Sequence, residues 1–262
     1  MNDQVSAKLV PATAVAMSVK NVHKSYGKVK ALDDVSFELQ QGFYALLGPN
    51  GAGKSTLFQL LTGLFVADQG SIEIAGIDIS KNITRALSHI GVVFQQPALD
   101  LDLTVQANLT FHGRLRGMSS TEIKQRSEYE LSRLKIESFA NKTCRTLSGG
   151  NRRKIELARA LLGEPQVLLM DEATVGLDPA SRDLLMKYVH ELCAERNMSV
   201  IWATHLIDEA EQAEQVLVLN KGQLLQRGNA QELCTLTNTK NLLDAFLQLS
   251  GETLAPTETA RI

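Results

Sequence analysis

The chain has 262 residues, enough for one large domain or a domain with a subdomain. Hydrophobic residues make up 44% and charged residues 21%, which excludes a disordered, collagen-like or coiled-coil chain. Lys and Arg (27) nearly balance Asp and Glu (29), for a net charge of −2, so no bulk basicity argues for nucleic acid.

At the start, Leu9–Met17 is mildly apolar but interrupted by Pro11, which argues against a signal peptide. Ala16–Val22 and Val35–Leu39 alternate apolar and polar residues, and with Ser71–Ala75 they predict a small antiparallel sheet. Phe43–Leu47, Ile90–Phe94, Val167–Met170, Val200–Ala203 and Val216–Leu219 are apolar runs too short for helices. They alternate with helical patterns, which predicts an α/β fold with a buried, mostly parallel sheet. From about Pro97 to Thr146 no such run occurs, and Ser119-Ser120-Thr121-Glu122 fits a capping box opening a helix with Leu131 and Leu134 on one face. We read residues of about 97–150 as a helical subdomain inserted in the core. A further helix starts at Ser148, carries Ile155, Ala158 and Leu162 at helical spacing, and stops at Gly163 before Pro165. After about Ala230 come one or two short helices (Asn241–Leu249), and the polar end Gly251–Ile262 is expected to fray. No run of roughly 18 apolar residues predicts a membrane span. The three cysteines, Cys144, Cys193 and Cys234, are far apart and odd in number, which fits reduced thiols and a cytoplasmic location.

Gly48-Pro49-Asn50-Gly51-Ala52-Gly53-Lys54-Ser55 matches the phosphate-loop pattern, with strand Phe43–Leu47 before it and helix Ser55–Leu61 after it. Glycines let backbone N–H groups converge on phosphate oxygens, and the helix N-terminus adds positive potential. Lys54 is expected to bridge the β- and γ-phosphates and the Ser55 hydroxyl to ligate Mg²⁺. The strand Val167–Met170 runs into Asp171 and Glu172, at the strand end where ligands sit in parallel sheets. Asp171 is expected to hold Mg²⁺ through water, and Glu172 to polarise an attacking water. Two other strands end near His205 and Gln95. Alone, His205 could be a helix-capping residue and Gln95 an ordinary loop residue; their shared placement at strand ends is what points to one γ-phosphate. Ser148, Gly149 and Gly150 open a helix whose free N–H groups make a second anion-binding terminus. One ATP rarely needs two such cradles in one chain, which suggests that the second serves a neighbouring protomer. The run Arg152–Lys154 reads as a solvated face or an ion-pair donor.

Together these residues resemble the nucleotide-binding subunit of an ATP-binding cassette (ABC) transporter over about Met17 to Gly228. The resemblance covers the Walker A loop Gly48–Thr56, the Q-loop Gln95, the signature Leu147–Asn151, the Walker B strand Val167–Glu172, the D-loop Asp178 and the switch His205. Tyr26 sits where the family stacks an aromatic on adenine, though it could equally be a strand-edge tyrosine. The fold so implied is a RecA-like P-loop NTPase core with a small antiparallel β lobe and the helical subdomain, an ATPase domain over 17–230 followed by a tail over 231–262. The implied activity is ATP hydrolysis with Mg²⁺, with Lys54, Gln95, Glu172 and His205 catalytic and Gln95 joining Ser55 and Asp171 as metal ligands. Ser148, Gly149, Gly150 and Asp178 then meet the nucleotide of a second cassette. The implied partners are that second cassette, in a homodimer or with a relative, and a separate membrane permease at the cytoplasmic face of the inner membrane; nucleic acid is not expected. The signature ends in Asn151 where Gln is usual, and Ala173 stands where Pro is usual. The stretch Leu206–Ala210 and the tail Leu242–Gly251 resemble the single-cassette drug-resistance type, which pairs with a six-helix permease and usually exports. Asn151–Lys154, Asp171–Asp178 and Trp202–His205 are similar to ATPases associated with pyrroloquinoline-quinone-dependent alcohol catabolism.

Overall fold

In the computed structural model, which describes residues 15–252, β1 (Met17–Tyr26) and β2 (Val29–Leu39) form a hairpin. Val35, Phe37 and Leu39 turn inward while Ser36 and Glu38 face out, the period-two pattern of a half-buried strand. The chain continues through β3 (Gly42–Leu47), α1 (Lys54–Leu61), β4 (Gln69–Ile74), β5 (Ile77–Asp78), α2 (Ile83–Ser88) and β6 (Ile90–Val93). The first sheet is antiparallel in the order β2-β1-β4-β5, as the alternating segments predict. Next come α3 (Val105–Leu115) and α4 (Ser120–Arg133), the latter opened by a complete capping box between Ser119 and Glu122.

The remaining elements are α5 (Gly149–Leu161), β7 (Val167–Asp171), α6 (Pro179–Arg196), β8 (Ser199–Thr204), α7 (Ile207–Ala210), β9 (Gln215–Asn220), β10 (Gln223–Gly228), α8 (Ala230–Thr237) and α9 (Leu242–Ser250). Their sheet has the order β10-β9-β3-β8-β7-β6, parallel except for β10. All six residues of β3 are buried because both faces of the sheet are covered. Phe43, Ala45 and Leu47 face the cluster shared with α5, α6 and α9, while Tyr44 and Leu46 face α1 and the antiparallel sheet. Leu109, Leu131 and Ile155 of the helical stretch, and Leu242 and Phe246 of the tail, join the first of these clusters.

One expectation needs correction. β6 ends at Val93, so Phe94 and Gln95 lie in an exposed loop. The strand β10 carries Gln223, Gln226 and Arg227 at a sheet edge and shows no apolar run; it is made by a turn at Lys221-Gly222, both at positive φ. Of the two readings of the basic run, Arg153 takes the second: it is buried and ion-paired to Glu156. All three thiols are buried and unpaired. The expected fraying beyond Glu252 and the N-terminal residues before Val15 lie outside the described residues.

Candidate nucleotide site

The turn between β3 and α1 is set by close backbone approach. A Cβ on Gly48 would stand 2.3 Å from the Leu219 carbonyl oxygen, so only glycine lets the loop lie against β9. Gly53, at φ 109, is the N-cap of α1 and offers no side chain to its free N–H groups. The other helices of eight or more residues among the described residues all begin with a side-chain cap, from Thr104, Ser119, Ser148, Asp178, Asn229 or Asn241. The terminus of α1 is therefore left with unpaired donors facing a cleft of about 450 Å³, which suits phosphate oxygens.

Lys54 is only 5% exposed, and its Nζ donates to the carbonyl oxygens of Gly48 (2.6 Å) and Pro49 (3.1 Å). It lies 3.6 Å from Glu172 Oε1. Burial pushes the Lys54 ammonium below its usual range, and the Glu172 carboxylate opposes that shift. Glu172 follows directly on β7 at φ 44, a left-handed conformation uncommon for a residue with a side chain. That turn gathers three groups on one carboxylate: Gln95 Nε2 donates to Oε2 at 2.9 Å, His205 Nδ1 lies 3.2 Å from Oε1, and Lys54 stands beside it. Asp171 is buried behind them; burial pushes its carboxyl up, the Glu172 charge adds to this and Lys54 opposes it.

Pro49, Asn50, Gly51, Gly53, Lys54, Ser55, Thr56, Gln95 and Glu172 line the cleft, with Gly48 and Ala52 packed beneath. Sequence reasoning missed Val29, Lys30, Ala31 and Lys221 on its walls, because hairpin turns from two sheets bring them there. Tyr26 is not on those walls. It ends β1, 43% exposed, with its ring edge-on to Phe65 at 6.0 Å and its hydroxyl 3.5 Å from Gln59. Ser148 and Gly150 line a separate crevice of about 100 Å³ with Leu177 and Ser181. Ser148 caps α5, its Oγ accepting from Asn151 N–H at 3.4 Å. Asp178 caps α6, accepting from Ser181 N–H at 3.0 Å and from its hydroxyl at 2.6 Å. The start of α5 and the phosphate loop thus line different crevices of one chain.

A second carboxylate went unnoticed in the sequence. Glu209, 1% exposed, accepts from Trp202 Nε1 (2.9 Å) and Thr204 Oγ1 (2.6 Å) through Oε2, and from Thr174 Oγ1 (2.5 Å) through Oε1. It ties the strand before His205 to the segment after Glu172.

Residues 32–175 match the family model described as ABC transporter. The linearmycin resistance ATP-binding protein LnrL of Bacillus subtilis is 36% identical over 221 residues, covering 84% of this chain and 71% of that protein. The Nod factor export ATP-binding protein I of Rhizobium sp. strain N33 is 40% identical over 221 residues, covering 84% and 72%. Among solved structures, the ATP-binding cassette MJ0796, in a dimeric post-hydrolysis state bound to ADP and Pi, superposes with a TM-score of 0.73. It is 29% identical, and the match covers 81% of this chain and 98% of that one. An ATP-binding subunit of an ABC transporter gives a TM-score of 0.80 at 25% identity, covering 89% and 99%. With these matches and the phosphate loop and acids described above, the chain belongs to the ABC transporter family, as an ATP-binding and ATP-hydrolysing subunit.

Proposed function

We propose that two copies of the ATPase unit, residues 17–230 with the helical stretch 97–150 inside it and the tail 231–262 after it, close head to tail over two ATP molecules. The observation that carries this is the separation of the two cradles: Lys54 and Ser148 line different crevices of one chain. In the closed pair, Ser148, Gly149 and Gly150 of one copy complete the phosphate site begun by Gly48–Thr56 of the other, with Asp178 alongside. Tyr26 lies against the adenine.

The oxygen donors of Ser55, Gln95 and Asp171 suit Mg²⁺, a hard cation. No group of three or more His, Cys, Asp or Glu side chains among the described residues forms a cage by itself, which fits an ion that keeps waters and phosphate oxygens as ligands. When bound, Mg²⁺ offsets phosphate charge. Lys54 leaves its loop carbonyls for the phosphates. Glu172, held between Gln95 and His205, orients a water and takes its proton, and His205 stabilises the γ-phosphate.

The resistance and export names of the relatives support an exporter, coupled to a separate permease at the cytoplasmic face of the inner membrane. No helix among the described residues is long and apolar enough to cross a membrane. Glu172→Gln tests the shared site: it is expected to bind ATP, hydrolyse it hardly at all and run as a dimer by light scattering. A monomer in saturating ATP and Mg²⁺ counts against the head-to-tail arrangement.

A further inference from the structure

We propose that Arg153 is a positioning residue for hydrolysis, holding Gln95 beside Glu172 by tying the Gln95 loop to helix α5. The proposal rests on the reading of Gln95 and Glu172 as site residues. Gln95 lies in an exposed stretch, Phe94–Ala98, that has no strand or helix pairing of its own. Such a stretch takes its position from whatever its backbone bonds to. Here the partners come from one helix. Arg153 donates through Nη1 to the Phe94 carbonyl (2.6 Å) and through Nη2 to the Gln95 carbonyl (3.2 Å). Nη1 also donates to Glu156 Oε2 at 2.8 Å. Glu156 Oε1 accepts from the Ala98 N–H at 2.7 Å, and Arg159 Nη1 donates to the Ala98 carbonyl at 2.5 Å.

Arg153 is 5% and Glu156 1% exposed, so these bonds form away from water, where a charge without partners is costly. A buried ion pair adds little net stability over an apolar pair of the same volume. What a planar guanidinium does supply is fixed geometry, because it spans two carbonyls and a carboxylate in one plane. Arg153 also sits one helical turn from Gly149 and Gly150, the cradle at the start of α5. A shift of that terminus is therefore carried to Gln95 through a short rigid lever. The helix that meets one copy's phosphate sets the glutamine beside the other copy's.

The test separates stability from turnover in the full-length chain. Arg153→Met leaves Glu156 as an unpaired buried charge and is expected to lose both stability and turnover. Adding Glu156→Gln removes that charge while its oxygen still accepts from Ala98 N–H, so the double variant is expected to regain stability in urea unfolding. Its kcat is expected to stay down about ten- to a hundredfold, with the KM for ATP unchanged within about twofold. Arg153→Lys, which keeps a charge for Glu156 but cannot span both carbonyls, is expected to fold normally with a reduced kcat. Wild-type kcat in the double variant or in Arg153→Lys overturns the proposal alone. Wild-type turnover that survives Lys54→Ala overturns the site reading and this proposal with it.

Discussion

Replacing Glu209 with Ala removes an acceptor shared by three buried donors on two separate segments of chain. The Trp202 indole N–H and the Thr204 and Thr174 hydroxyls all donate to that one carboxylate. Leaving one buried donor without a partner costs about 1–3 kcal/mol. The hydroxyls can rotate toward nearby carbonyls, so the full sum is not reached. Arg182 loses a carboxylate 3.9 Å from its Nε but keeps Asp208 at 3.2 Å, and a side-chain-sized void remains. Together these give a loss of about 4 kcal/mol. For a domain of this size that lowers Tm by roughly 8–16 °C. Glu209→Gln keeps the volume and one acceptor oxygen and is expected to lose about 1–2 kcal/mol.

Urea unfolding followed by circular dichroism gives the free energies, because the neighbouring Trp202 would alter a fluorescence baseline. Trp202 is the single tryptophan of the chain and fully buried, so its native emission reports separately whether the indole has lost its partner. An Ala variant within about 1 kcal/mol of wild type, at an unchanged denaturant slope, refutes the reasoning.

Burial, with the Arg159 and Arg116 charges, lowers the His112 imidazole to about 4. The folded state then resists the proton that the unfolded chain accepts near pH 6.5, so stability falls as pH drops from 6.5 toward 4. The loss reaches roughly 3 kcal/mol at the low end, and urea unfolding of His112→Phe is expected to show a shallower decline over that window. Gly48→Ala drives a methyl into the Leu219 carbonyl, and is expected to abolish ATP binding in a titration and to cost roughly 2 kcal/mol. Lys54→Ala is expected to bring ATP hydrolysis to background, because the phosphates lose their buried cation; a normal phosphate-release rate contradicts its assigned role. Ser119→Ala breaks the capping box of α4 and is expected to cost about 1 kcal/mol in thermal unfolding, with ATP hydrolysis unchanged.

What the sequence by itself determined is local. The phosphate loop, the acids at the end of β7, the capping box at Ser119 and the buried runs are written in neighbouring residues. Glycine freedom, side-chain caps and hydrophobic period each act within a turn or a strand. Their shared placement at strand ends, and then the resemblance, joined Gln95, Glu172 and His205 into one site. The structure adds the distances and the reason they meet, which is that β6, β7 and β8 lie side by side and all end at the same sheet edge. Tertiary structure alone decided the rest. The polar strand β10 exists because β9 offers it an edge. Lys30 and Lys221 reach the cleft because two turns from different sheets converge there. Arg153, one of three consecutive basic residues, is buried because the Gln95 loop folds over it, while Glu209 finds donors on segments far from it in the chain. Such contacts depend on strand order and on which helix face meets which loop. Long-range packing selects those, and no local propensity encodes them.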